Sequence, residues 1–172
     1  MNVSKLIEAI PSTSAADRIQ MRANADRLMA SGNDKQKNAA LALVSAIDVQ
    51  DVADQQSFDN RLTNMSQAEK VAEAFSAVKP TPSDLKAIRA LLANPGSTTA
   101  ELSAACGWKG NKWQSQLSLM CKKREGYLLP GDPDDERDLA FYSGLLSDQD
   151  EETNRFTMKP DIAAAFNALG LS

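Results

Sequence analysis

Two prolines set around a single threonine constrain this chain more than any other feature. In Lys79-Pro80-Thr81-Pro82 neither proline supplies a backbone N–H, and each ring clashes with a preceding helical turn. No helix interior runs through such a segment, so the chain is read in two parts. Before the break the apolar residues recur at helical spacing. Ser14 is placed to cap a helix from Ala15 to about Ser31, ended by Gly32 and Asn33. Asp34 is placed to cap the next, in which Ala40, Leu43, Val44 and Ile47 share a face. A weaker segment holds Val52, Phe58, Leu62 and Met65. Ser66 and Glu69 then have capping-box spacing ahead of Val71, Ala72, Phe75 and Val78. The expectation is a helical domain over residues 1–79, a candidate element for homodimerisation or partner binding.

After the break the pattern is mixed. Thr81 caps, Pro82 takes the first helical position, and Leu85, Ile88, Leu91 and Leu92 form a stripe that stops at Asn94-Pro95-Gly96. Thr98 and Glu101 open a short helix closed by Gly107. A third helix is predicted from about Asn111 to Glu125, burying Trp113, Leu117, Met120 and Cys121 and ending at Gly126. Strands are expected at 127–129, 139–146 and 155–159, the last alternating Phe156 and Met158 inward. Pro160 starts a final helix with Ile162, Ala165, Phe166 and Leu169.

Composition narrows the chemistry. Among 172 residues there is no histidine, which removes imidazole acid–base catalysis, Ser-His-Asp and Cys-His pairs, and His-containing metal sites. Cys106 and Cys121 are too few for a four-thiolate zinc site or a disulfide framework. Asp148, Asp150, Glu152 and Asn154 alternate like a calcium loop, but Lys159 stands where the bidentate Glu belongs. The expectation is a protein without catalysis, cofactor or metal. The N-terminal residues lack a secretory pattern and the longest apolar run, Ala39 to Val44, is far too short to span a bilayer, so a cytoplasmic protein off the membrane is expected.

The formal charge of −4 conceals a division of sign. Residues 107–126 carry Lys109, Lys112, Lys122, Lys123 and Arg124 against Glu125 alone, a net +4, whereas residues 127–172 carry a net −7. Local sign decides which charged partner is attracted.

Residues Ser83 to Leu129, SDLKAIRALLANPGSTTAELSAACGWKGNKWQSQLSLMCKKREGYLL, resemble the winged helix-turn-helix DNA-binding domains of bacterial transcription regulators. The matching pieces are the first helix, TTAELSAACGW as the second, KGNKWQSQLSLMCKKREGYL at the recognition-helix position, and the strand expected after it. The resemblance implies a mainly α fold, with the helical domain followed over residues 80–172 by a winged helix carrying a small β-hairpin. It also implies binding of double-stranded DNA in transcriptional control.

The residue chemistry agrees independently. With Trp113, Leu117, Met120 and Cys121 inward, Asn111, Gln114, Ser115, Ser118 and Lys122 are expected to share the opposite face, Asn111, Gln114, Ser115 and Ser118 reading base edges. Lys109 and Lys112 at the helix start, and Lys122, Lys123 and Arg124 at its end, are expected to meet phosphates. The acidic turns 132–138 and 148–152 depart from the resemblance, because carboxylates repel a phosphate backbone. They support an alternative: an acidic, nucleic-acid-mimicking interaction module that binds a basic protein.

Overall fold

The computed structural model describes residues 3–131 and 137–172. The chain divides into two compact units, Met1–Phe58 and Asp59–Ser172. That division differs from the one expected at residue 79.

In the first unit, α1 (Val3–Ala9) leads through a 3-10 turn (Ile10–Ser12) into α2 (Ala15–Ser31). Ser14 caps α2, its Oγ accepting the Asp17 N–H at 3.1 Å. The following helix, α3 (Asp34–Thr63), is capped by Asn33 rather than Asp34: Asn33 Oδ1 accepts from the Gln36 N–H while Gln36 Oε1 accepts from the Asn33 N–H. This helix is continuous where the sequence pattern suggests two segments. No proline or glycine interrupts residues 34–63, so good helix formers propagate even where residues 51–57 are exposed on every side and have no apolar stripe. Ile10, Ala25, Ala40, Leu43 and Ile47 make the core of this unit. Buried Arg18 ties α2 to α3 through Asp51, at 2.8 Å, and Asp54. Ile19, Leu41, Val49 and Val52 face solvent.

The second unit begins with the last turn of α3. It continues with α4 (Gln67–Ala77), α5 (Pro82–Ala93), β1 (Ser97–Thr98), α6 (Thr99–Ala105) and α7 (Lys112–Lys122). After these come α8 (Glu125–Leu128), α9 (Leu139–Gly144), β2 (Ser147–Asp150), β3 (Arg155–Met158) and α10 (Pro160–Ala168). Three complete capping boxes, Ser66/Glu69, Thr81/Asp84 and Thr98/Glu101, start α4, α5 and α6. The antiparallel sheet has the order β1-β3-β2, with Ser97 opposite Phe156 and Gln149 opposite Phe156 from the other side. Phe156 and Met158 point into the core while Arg155 and Thr157 face out, as alternation predicts.

Two expected strands are helices. Residues 127–129 belong to α8 and its cap: the Arg124 carbonyl accepts from both the Tyr127 and Leu128 N–H groups, and no strand lies alongside among the described residues. A three-residue apolar run carries no period, so it is compatible with either structure. Residues 139–144 form α9, capped by Asp138, whose Oδ1 accepts the Phe141 N–H at 2.8 Å, and a turn at 145–146 leads into β2. Tyr142 and Ser143 are buried on consecutive helical positions, which strand alternation does not give.

The proline break is a turn inside the second unit, because α4 packs on α10 and α8 and gives Val71, Ala74 and Phe75 to the same core as Ile88, Leu91, Trp113, Leu117, Phe156 and Phe166. Phe75 meets the edge of Phe166 at 4.9 Å between centroids, and Trp113 meets Phe156 at 5.2 Å. The core therefore cannot be completed from residue 80 onward. A fragment of residues 59–172 is expected to unfold cooperatively in urea, followed by circular dichroism. A fragment of residues 80–172, cut at the prolines, is expected to lose that cooperative transition. Equal midpoints for the two would contradict the boundary.

Candidate nucleic-acid interface

The position of α7 is set by groups behind it. Gly107 and Gly110, at φ 71° and 62°, turn the chain between α6 and α7 through backbone conformations that a side chain resists. Asn111 makes no side-chain cap. Instead the buried Ser103 Oγ, on α6, accepts the Trp113 N–H at 3.0 Å, and the Trp113 indole N–H donates to the Ala87 carbonyl on α5 at 3.0 Å. These two bonds fix the start of α7 against both preceding helices.

The far end is fixed by Arg124, which is 1% exposed. Its Nη1 donates to the Met120 carbonyl at 2.8 Å, and its Nε and Nη2 donate to the Val78 carbonyl at 3.1 and 2.8 Å. The guanidinium stacks on Phe75 at 4.1 Å and faces the equally buried Asp84 at 3.7 Å. Asp84 accepts from the Thr81 N–H at 2.9 Å and from the Gln116 amide at 2.7 Å. Burial draws the Arg124 pKa down, and the Asp84 charge opposes that shift. Arg124 is thus not available to a phosphate, which corrects the expectation that it clamps DNA.

Ser118 is corrected as well. It is fully buried and its hydroxyl donates to the Gln114 carbonyl at 2.8 Å, so it presents nothing to a base. A serine can satisfy itself on its own helix in this way, so its polarity does not predict exposure. Helices α5, α6, α8 and α9 all pack on α7, covering more of its circumference than the apolar stripe alone requires. The exposed stripe is Lys112, Leu119, Lys122 and Lys123 with half-buried Ser115 and Gln116 beside it, about a quarter-turn from the expected face. Asn111 and Lys109 are exposed, and Gln114 and Ser115 are half-buried at the edge of the stripe. Sequence reasoning missed Gln116, which is committed to Asp84, and Leu119, which is 49% exposed.

Lys109, Lys112, Lys122 and Lys123 have no ion-pair partner among the described residues. Lys112 lies over the Trp108 ring at 5.5 Å. The adjacent Glu125 does not neutralise them, being held by the Tyr142 hydroxyl at 2.8 Å and by Arg137 at 3.0 Å. Both thiols are buried, and burial raises the pKa of Cys106 and pushes that of Cys121 up to about 12.

The hairpin carries the opposite sign. Asp148, Asp150, Glu151 and Glu152 are exposed, with Lys159 at 4.0 Å from Asp148. Asp150 accepts the Glu152 and Thr153 N–H groups at 3.0 and 2.8 Å, and these bonds hold its pKa below the usual carboxylate value. Of the other acidic turn, residues 132–136 lie outside the described residues. Among the described residues no group of three or more His, Cys, Asp or Glu side chains is placed to hold a metal ion, and no helix is long and apolar enough to cross a membrane. No family model matches the chain, and no curated protein or solved structure matches it significantly.

The start of α6 makes a pH-dependent contribution. Bonds from the Thr98 backbone N–H and hydroxyl hold the Glu101 pKa below its ordinary 4.5. Folding lowers this value, so the folded chain binds fewer protons, and the contribution is complete above the ordinary pKa and lost as pH falls through the lowered one. Glu101→Gln is therefore expected to flatten part of the acid limb of a plot of urea midpoint against pH. An unchanged acid limb would contradict this assignment.

Proposed function

We propose that the second unit binds double-stranded DNA as a winged helix-turn-helix, with α7 in the major groove. The observation that carries this reading is the set of four lysines without ion-pair partners among the described residues, at the two ends of one exposed helix face. With 11 residues, α7 spans about 15 Å, enough for its two ends to reach phosphates on either side of a major groove about 12 Å wide. The order α5, β1, α6, α7, then the short helices α8 and α9 and a hairpin, with sheet order β1-β3-β2, supports the winged-helix reading. Transcription control is the role that the resemblance implies.

Within this proposal Lys109, Lys112, Lys122 and Lys123 meet phosphates, and Asn111, Gln114 and Ser115 approach base edges. The exposed acidic hairpin favours a second reading, in which that edge docks a basic protein. The two are compatible only if the hairpin points away from the phosphates.

A salt-dependent DNA titration tests the proposal. Lys122→Ala is expected to weaken binding on all sequences and reduce the salt slope by about one. Gln114→Ala is expected to lose about 1–3 kcal/mol on a preferred sequence and leave the slope unchanged. Ser118→Ala is expected to leave binding as it was. Absence of binding at low salt would overturn the DNA reading and leave the basic-protein reading.

A further inference from the structure

The lysine-flanked face of α7 has an apolar centre. Leu119 is 49% exposed, with Ser115 one turn before it, Lys122 one turn after it and Lys112 two turns before it. The other exposed large apolar residues described in the second unit are placed differently: Val78 is the C-cap of α4, and Phe141 lies under the Arg137 guanidinium at 4.9 Å. Leu119 lies outside the buried core, to which Trp113, Leu117, Met120 and Cys121 of the same helix belong. An exposed leucine between lysines at the two ends of a helix face suits a surface that is anionic at its edges and apolar at its centre.

The major groove offers such a surface wherever thymine occurs. The C5-methyl of thymine is the apolar group on the base edges there, and it lies between two phosphate strands. We propose that Leu119 reads thymine through this methyl while the flanking lysines hold the phosphates. The inference rests on the DNA-binding reading and adds a specificity-determining residue to it. Charge complementarity selects the partner: Lys122 and Lys123 follow the leucine by one turn and Lys112 precedes it by two, whereas a protein docking on an apolar anchor has no need of so many unpaired cations.

Deoxyuridine differs from thymidine only in lacking that methyl. The test compares the full chain on an alternating adenine–thymine duplex of about two helical turns with the same duplex built from deoxyuridine. The wild type is expected to bind the thymidine duplex about fourfold more tightly, the worth of one buried methyl group. Leu119→Ala and Leu119→Gln should bind both duplexes equally, with thermal melting that reports an intact fold. Lys122→Ala should weaken both complexes and keep their ratio.

Equal wild-type binding to the two duplexes, or a ratio that survives in both Leu119 variants, would overturn the role of Leu119. Lysine-dependent binding that persists in those cases would leave the DNA reading in place. No binding to either duplex at low salt would overturn both.

Discussion

The buried contact between Arg124 and Asp84 is the constraint on which the second unit depends. A guanidinium without solvent is strongly destabilising unless its donors are met and its charge is balanced. Here the carbonyl of Val78 closes the C-terminal end of α4, Met120 supplies the last turn of α7, and Asp84 belongs to the first turn of α5. One side chain therefore joins three helix ends, where exposed carbonyls of α4 and α7 and a carboxylate at the start of α5 are already in place. Phe75 beneath the guanidinium adds a fourth side to its cage. The turn at Pro80 is held closed by this arrangement, so α4 belongs with the helices on the far side of the prolines.

The same economy of charge explains the surface. Arginines are largely used internally: Arg18 on Asp51 and Asp54, Arg61 on Glu73, Arg124 on Asp84, Arg137 on Glu125, and Arg155 near Glu101. A planar fork with several donors suits such fixed contacts, whereas an ammonium on a flexible stem is easily kept hydrated. The lysines at 109, 112, 122 and 123 are exposed and have no ion-pair partner among the described residues. The internal pairing of Glu125 with Arg137 and Tyr142 removes the one carboxylate that stands beside them in sequence.

Much of the scaffold is legible in the sequence because its signals are local. A hydroxyl residue three positions before a carboxylate names a helix start, and the pairs at 66/69, 81/84 and 98/101 all form complete boxes. The alternation of Arg155 to Met158 likewise marks a strand. The illegible parts depend on distant neighbours. The long α3 hides behind a weak apolar pattern, and α9 hides behind an apolar run whose helical cap, Asp138, stands at the end of an acidic turn. Ser118 and Arg124 are polar, and polarity alone points to the surface. Each is buried, with its hydrogen bonds met by the carbonyls of Gln114 and, for Arg124, Val78 and Met120. Polarity signals a need for partners, and water is only one of them.

Arg124→Lys tests the central claim most directly, because it keeps the charge and removes the fork. If Arg124 joins three helix ends, lysine cannot serve both carbonyls and Asp84 at once. The urea-unfolding free energy should then fall by about 2 kcal/mol or more, while the salt slope of the proposed DNA binding, measured on the folded variant, stays as in the wild type. A variant as stable as the wild type, with an altered salt slope, would show that Arg124 serves a phosphate and would contradict the account.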